Sequence, residues 1–293
     1  TLWELKIFVI NSIIKKIPLI REIVATISFY RGYLRYKKFL VKNKEYKDKY
    51  LGERCFILGN GPSLNKHDLK PLKNEHVFTV NGMTISKEFD LIQPEFHIMV
   101  DSTRLDEKNE IFLQNMKDLA NKKNPPIGIF PVIFKNYFEK YGFDKKLKII
   151  YVYPRKNIRK IKKIDFTKII PPYQNVVNIA LYIAMYLGFK EIYLVGCDMT
   201  GFVNVYDENE EIDFGGHFYE RDNKRELKFM TELHRQRTNE FMLKAYGYVF
   251  EPFRLTQDYA LKNGVKIFNA TKGGTLDVFP RIKYEKLFNE KNK

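Results

Sequence analysis

From residue 53 onward the chain reads as short, unbroken apolar runs separated by longer stretches with helical spacing. The runs are Cys55–Leu58, Val77–Val80, Phe96–Val100, Ile127–Phe130, Ile149–Val152, Ile192–Val195 and Lys266–Phe268. Continuous rather than alternating hydrophobicity marks strands covered on both faces, so the pattern predicts seven strands of a mostly parallel sheet. Val176–Leu187 is apolar nearly all round and ends at Gly188, which predicts a buried helix with a glycine C-cap. Residues 224–246, KRELKFMTELHRQRTNEFMLKAY, predict a longer charged amphipathic helix, and 254–263 a further helix stopping at Gly264. Ser63 is placed to cap a helix carrying Leu64 and Leu69. Strand and helix alternate throughout, which predicts an α/β, Rossmann-like, doubly wound sheet.

The first 50 residues break this pattern. TLWELKIFVINSIIKKIPLIREIVATISFYRGYLRYKKFL is apolar, aromatic and basic at once. Lys15, Lys16, Arg21 and Glu22 interrupt it well short of the ~20 apolar residues that span a bilayer, and no small-residue cleavage site comes after it. Trp3, Phe8, Ile13, Ile14 and Leu19, with lysines between them, suit helices lying in a membrane interface. The same spacing suits a helical pair packed on the main domain or on another subunit. The expected organisation is therefore a basic helical extension over 1–50 and a nucleotide-binding domain over 51–293. A lid is expected around 200–224.

Charge sharpens that division. The net charge is +16, and residues 1–50 carry twelve Lys/Arg against four Asp/Glu, while 151–171 carry seven against one. The rest of the chain is near neutral. Such patches serve nucleic acid, anionic lipid or a phosphorylated substrate. Cys55 and Cys197 both sit inside apolar runs and are expected as reduced core residues, pointing to the cytosol. No Cys/His spacing resembles a zinc site.

In a doubly wound sheet the ligand lies beyond the carboxyl ends of the strands, so the residues just past each run matter most. After the first run come Gly59-Asn60-Gly61-Pro62-Ser63; after the second, Asn81 and Gly82; after the third, Asp101-Ser102-Thr103. After EIYLV come Gly196, Asp198 and Thr200, and after the last run Asn269 to Gly274. Asn175 precedes the apolar helix. These ends are small and polar, and their convergence predicts a binding cleft. Gly59 and Gly61 are expected to supply positive φ and close approach, with backbone N–H groups aimed at a phosphate. The turn is neither G-x-G-x-x-G nor G-x-x-x-x-G-K-[ST]. Asparagine amides can read a base, ribose or phosphate without adding charge, and Asp101 and Asp198 suit a ribose or a metal.

The stretches CFILGNGPSL, VFTVNGM and LGFKEIYLVGCDMTG resemble the bacterial sialyltransferases of glycosyltransferase family 42, over about residues 53–206. The tail NATKGGTLDVFPRI is more similar to the related hydroxymethylpterin pyrophosphokinase-like family, which includes flagellin-modifying proteins. The first resemblance implies a GT-A-like Rossmann domain, a CMP-activated nonulosonic acid as donor, no metal or cofactor, and a histidine base. It implies nucleotide contacts by Asn60, Gly61 and Ser63, with Asn81 near the cytidine or ribose; from the strand ends, Pro62, Asp101, Ser102, Asn175, Gly196, Asp198 and Thr200 are expected to join them. Tyr206 matches one of two family tyrosines that hold the departing phosphate; the other falls on Thr200. The family's asparagine after the third strand is Asp101 here.

Two histidines are candidates for the base. His217 stands in the glycine-containing stretch EEIDFGGHFYERDN, and His234 in ELHRQRTN. His67, His76 and His97 are expected to be structural. The function expected is inverting, metal-independent transfer of a sialic-acid-like sugar to a glycan, glycolipid or glycoprotein acceptor. The basic flanks would hold the enzyme on the anionic inner face of the cytoplasmic membrane, with a homo-oligomer open through the N-terminal helices. The rival enzyme reading is a Mg/ATP-dependent pyrophosphokinase acting on a pterin-like substrate, with Asp101 and Asp198 as magnesium ligands. A nucleic-acid-binding module would leave the strand-end clusters idle, and no nucleic-acid partner is expected; a non-catalytic scaffold that keeps a degenerate nucleotide fold is the other alternative.

Overall fold

The computed structural model describes residues 18–101, 110–154, 161–201, 205–206, 212–213, 218 and 236–289. Seven strands form one sheet: β1 (Arg54–Leu58), β2 (His76–Val80), β3 (Phe96–Ile98), β4 (Ile127–Pro131), β5 (Ile149–Val152), β6 (Glu191–Val195) and β9 (Lys266–Asn269). Their order is β5-β4-β3-β2-β1-β6-β9, and every pairing is parallel. A separate antiparallel pair, β7 (Val205–Tyr206) and β8 (Ile212–Asp213), lies within the stretch expected as a lid.

The apolar runs are continuous because the strands bury both faces. Cys55 and Ile57 point into a core shared with Phe78, Ile98, Ile129 and the helix that comes after β5, while Phe56 and Leu58 join Val77, Phe130 and Tyr193 on the other side. Successive residues thus feed two different cores, the period-2 geometry of a pleated strand. Cys55 and Cys197 are buried and free.

Among the described residues seven helices accompany the strands: α1 (Pro18–Leu40), α2 (Lys87–Ile92), α3 (Glu110–Ala120), α4 (Lys135–Tyr141), α5 (Val176–Leu187), α6 (Asn239–Lys262) and α7 (Lys286–Asn289). In α5 the Asn175 side chain caps the first turn, its oxygen accepting from Val177 N at 2.7 Å. Gly188 closes the helix at φ 101. Among the described residues no helix is long and apolar enough to cross a membrane.

Two local expectations are corrected. Ser63 caps no α-helix: Pro62–Lys66 and Lys70–Asn74 form two short 3-10 turns, and the Ser63 hydroxyl is engaged elsewhere. The helix expected to end at 246 and the one expected from 254 are a single helix, α6, which runs through Gly247 and Pro252. Thr238 caps it by accepting from Phe241 N, and it ends at Asn263 just before Gly264. Residues 224–235 lie outside the described residues, as do 1–17 of the N-terminal segment.

Candidate functional site

The carboxyl ends of β1, β6 and β9 are knotted together at Asp198. Gly59 N donates to Val195 O at 2.8 Å and Gly61 N to Gly196 O at 2.9 Å. Ser63 Oγ donates to Asp198 Oδ2 at 2.7 Å, and Ser63 N reaches the same oxygen at 3.4 Å. From the β9 side, Thr275 N donates to Asp198 O at 2.8 Å. Cys197 N donates to Thr271 Oγ1 at 3.0 Å. Asp198 is 8% exposed.

The glycines serve this knot through their missing side chains. A Cβ on Gly59 would lie 2.9 Å from the Gly196 carbonyl carbon and closer to its oxygen; one on Gly61 would lie 2.6 Å from Asp198 Cγ and closer to Oδ2. Gly61 has φ −70, and neither Gly59 nor Gly61 has positive φ. The positive-φ expectation is thereby corrected, because steric room for the neighbouring loop is what excludes a side chain. The phosphate cradle expected from these N–H groups is corrected as well: those of Gly59, Gly61 and Ser63 are all bonded within the protein.

Carboxamides line the opening beside the knot. Asn60 Nδ2 donates to Val80 O at 3.1 Å, tying the β1 loop to the end of β2. Asn81 takes the left-handed conformation, φ 49, and its carboxamide oxygen is buried without a hydrogen-bond partner in the protein. Beneath it His97 is buried, with Thr79 Oγ1 at 3.0 Å from its Nδ1. Burial lowers the His97 pKa to about 3, against which a hydrogen bond with the Asn81 backbone acts, so the ring is neutral at physiological pH.

These elements enclose a cleft of about 250 Å³. Asn60, Asn81, Asn175, Thr200 and Asp198 give it polar walls; Val80, Val176, Val177 and Met199 give it apolar ones. Tyr246, from α6, closes one side, and burial raises its pKa so that the phenol stays a neutral donor. Among the described residues that line the cleft there is no Lys, Arg or His. Burial, reinforced by the Asp198 charge and opposed by a hydrogen bond from Gly59, pushes the Cys197 thiol up to about 12, which leaves it a poor nucleophile.

Of the residues singled out in the sequence, Asn60, Gly61, Pro62, Asn81, Asn175, Gly196, Asp198 and Thr200 come together on this cleft. Ser63 is buried behind the wall on Asp198. Asp101 is exposed and outside the lining; it lies near the Tyr173 phenol, whose pKa burial and the Asp101 charge both raise. Asp101 and Asp198 are therefore not brought to one spot on the cleft wall. Tyr206 lies in β7, paired with Ile212. Ser102, His217 and His234 lie outside the described residues. The neighbour of His217 is fixed, however: Phe218 N donates to Asn60 O at 3.0 Å, and Asn65 Nδ2 donates to Phe218 O at 2.9 Å. Tyr246 was not legible in the sequence, since one tyrosine on an amphipathic helix carries no local signal.

His67, His76 and His97 do not line the cleft. His67 packs on Tyr284 and accepts weakly from Lys272 N at 3.4 Å. His76 lies at the opposite, amino end of the strands, between Glu95 and Glu53.

The model of the family described as 6-hydroxymethylpterin diphosphokinase MptE-like matches residues 30–202. That stretch holds the GNGPSL and LGFKEIYLVGCD segments and stops short of the tail at 269–282, where the likeness to that family was read in the sequence. No curated protein matches the chain. Among solved structures, that of the MAf glycosyltransferase from Magnetospirillum magneticum AMB-1 aligns with a TM-score of 0.47 and 16% identity, over 85% of this chain and 38% of that one. The chain thus spans well under half the length of that protein.

Proposed function

This chain belongs to the 6-hydroxymethylpterin diphosphokinase MptE-like family, and from that premise we propose that it is a nucleotide-dependent glycosyltransferase whose donor is a CMP-activated nonulosonic acid. The observation that carries the proposal is the chemistry of the cleft walls. Three carboxamides, a hydroxyl and one carboxylate converge at the sheet rim, with no basic side chain among the described lining residues.

Carboxamides present a donor and an acceptor together, which matches the amino and carbonyl edge of a cytosine and the hydroxyls of a ribose. Asn81 lines the cleft and its carboxamide oxygen has no partner within the protein, so a ligand donor that reaches it gains a hydrogen bond worth about 0.5–1.5 kcal/mol. The volume lies below the ~300–1,000 Å³ usual for drug-sized ligands. It suits a nucleoside or a single sugar ring rather than the whole donor. A triphosphate would bring several negative charges to walls whose one charged group among the described lining residues is the Asp198 carboxylate, an arrangement that is costly without cations. A CMP-linked nonulosonic acid brings two, one on its phosphodiester and one on the sugar carboxylate, fewer than a triphosphate carries.

The chemistry is a direct displacement. The acceptor hydroxyl attacks the anomeric carbon, a base takes its proton, and the bond from that carbon to the phosphate oxygen breaks with its electron pair leaving on CMP. One carbon–oxygen bond forms and one breaks, with inversion. His217 is our choice of base because Phe218, its chain neighbour, is fastened to Asn60 at the cleft wall. Tyr206 and Tyr246 are phenols suited to hydrogen-bond the departing phosphate.

A second reading is favoured by the family's description: diphosphate transfer from ATP to a pterin. The two separate in one assay. With CMP-N-acetylneuraminate and lipooligosaccharide in EDTA, the proposed activity releases CMP and adds one sugar mass to the acceptor, and His217→Ala abolishes both. Release of AMP from ATP, dependent on magnesium and 6-hydroxymethylpterin, with no CMP release, would overturn the proposal.

A further inference from the structure

The N-terminal helix α1 carries an apolar face that no other described element covers. Leu19, Ile23, Ile27, Tyr30 and Leu34 recur every three or four residues, the spacing of one helical face, and all are exposed. Leu19 and Leu34 expose 66% and 65% of their surface.

The helix is anchored by a different face. Phe29, Tyr33 and Tyr36 pack round Tyr153, whose hydroxyl donates to Phe29 O at 2.9 Å. Gly32 lets the phenol in, since a Cβ there would stand 2.5 Å from the hydroxyl. Further along, Phe39 meets Tyr151 and Asn43 Nδ2 donates to Tyr151 O.

These contacts fix a direction. Tyr151 lies within β5 and Tyr153 just past its carboxyl end, so the helix climbs toward the rim that holds the cleft as it is traced back to its N-terminus. Residues 22–28 are exposed all round. From Glu22 to Ser28 the helix therefore stands about 10 Å beyond its anchor. β5 is four strands from β1, which sets this post roughly 19 Å to the side of the cleft.

We propose that the exposed face of α1 docks on an anionic lipid bilayer and keeps the cleft close to the membrane surface. Charge selects this occupant. The helix has five basic residues against one acidic, and on a helical wheel Arg31, Arg35 and Lys38 lie to one side of the apolar stripe. A second copy would bring two such basic faces together, whereas anionic headgroups complement them. The arrangement leaves the strand-end cleft open beside a lipid-borne substrate. The proposal does not depend on the identity of the donor.

Vesicle flotation tests it with the full chain. At 50 mM salt the protein floats with vesicles of 30% phosphatidylglycerol in phosphatidylcholine, and at least fivefold less with pure phosphatidylcholine. The double variant Ile23→Glu/Ile27→Glu loses flotation at least tenfold with no change in Tm. Arg31→Gln/Arg35→Gln loses it severalfold, and 500 mM salt reproduces that loss. Any of three results overturns the proposal: no flotation on anionic vesicles, a sedimentation dimer dissolved by Ile23→Glu/Ile27→Glu, or a fall in Tm for that variant, which would mean the chain itself covers the face.

Discussion

Gly61 and Asp198 share one corner of the cleft floor: a methyl group on residue 61 would stand 2.6 Å from Asp198 Cγ and closer still to its Oδ2. The backbone at Gly61, φ −70 and ψ 150, is open to any residue, so the demand for glycine is steric. Gly61→Ala should cost about 1–3 kcal/mol, the usual penalty for overpacking. Urea unfolding should show a lower midpoint with an unchanged slope. An unchanged midpoint would mean that the two loops are not held in contact.

Ser63 and Asp198 should behave as one unit. Their 2.7 Å hydrogen bond is buried and charge-assisted, a class worth about 1.5–3 kcal/mol. In a double-mutant cycle, Ser63→Ala and Asp198→Asn should each destabilise, while the pair together should cost much less than their sum. The coupling should exceed about 1 kcal/mol; strict additivity would break the link.

At the other end of the sheet, His76 makes stability depend on pH. Burial disfavours its charged ring, yet hydrogen bonds and charges from Glu95 and Glu53 outweigh that and raise its pKa above 6.5. A raised histidine binds its proton more tightly when folded. Its contribution is therefore complete below pH 6.5 and is lost as pH rises through the folded pKa. The stability gap between wild type and His76→Gln should narrow from pH 6 to pH 8.5, read from urea midpoints. A gap that widened over this range would reverse the assignment.

The sheet was legible because its strands bury both faces: seven apolar runs, bounded by glycine and polar residues, became seven parallel strands. The cleft was legible for the same reason, since topology sends every strand's carboxyl end to one rim. What could not be read was how the glycines act. A missing Cβ looks identical in sequence whether positive φ or a neighbouring carboxylate forbids it. The helical pattern likewise reads as two pieces, ending at 246 and resuming at 254, although α6 continues between them through Gly247 and Pro252, with Thr256 Oγ1 donating to Pro252 O. Tyr246 reaches the cleft only because that helix is continuous and packs beside α5, a contact distant in sequence.

Isothermal titration of CMP and of Mg·ATP into the wild-type chain and Asn81→Ala tests the central claim most directly. The account predicts that CMP binds without metal, more tightly than Mg·ATP, and that Asn81→Ala weakens it about tenfold, the value of one hydrogen bond. Tighter binding of Mg·ATP, with CMP affinity indifferent to Asn81, would contradict it.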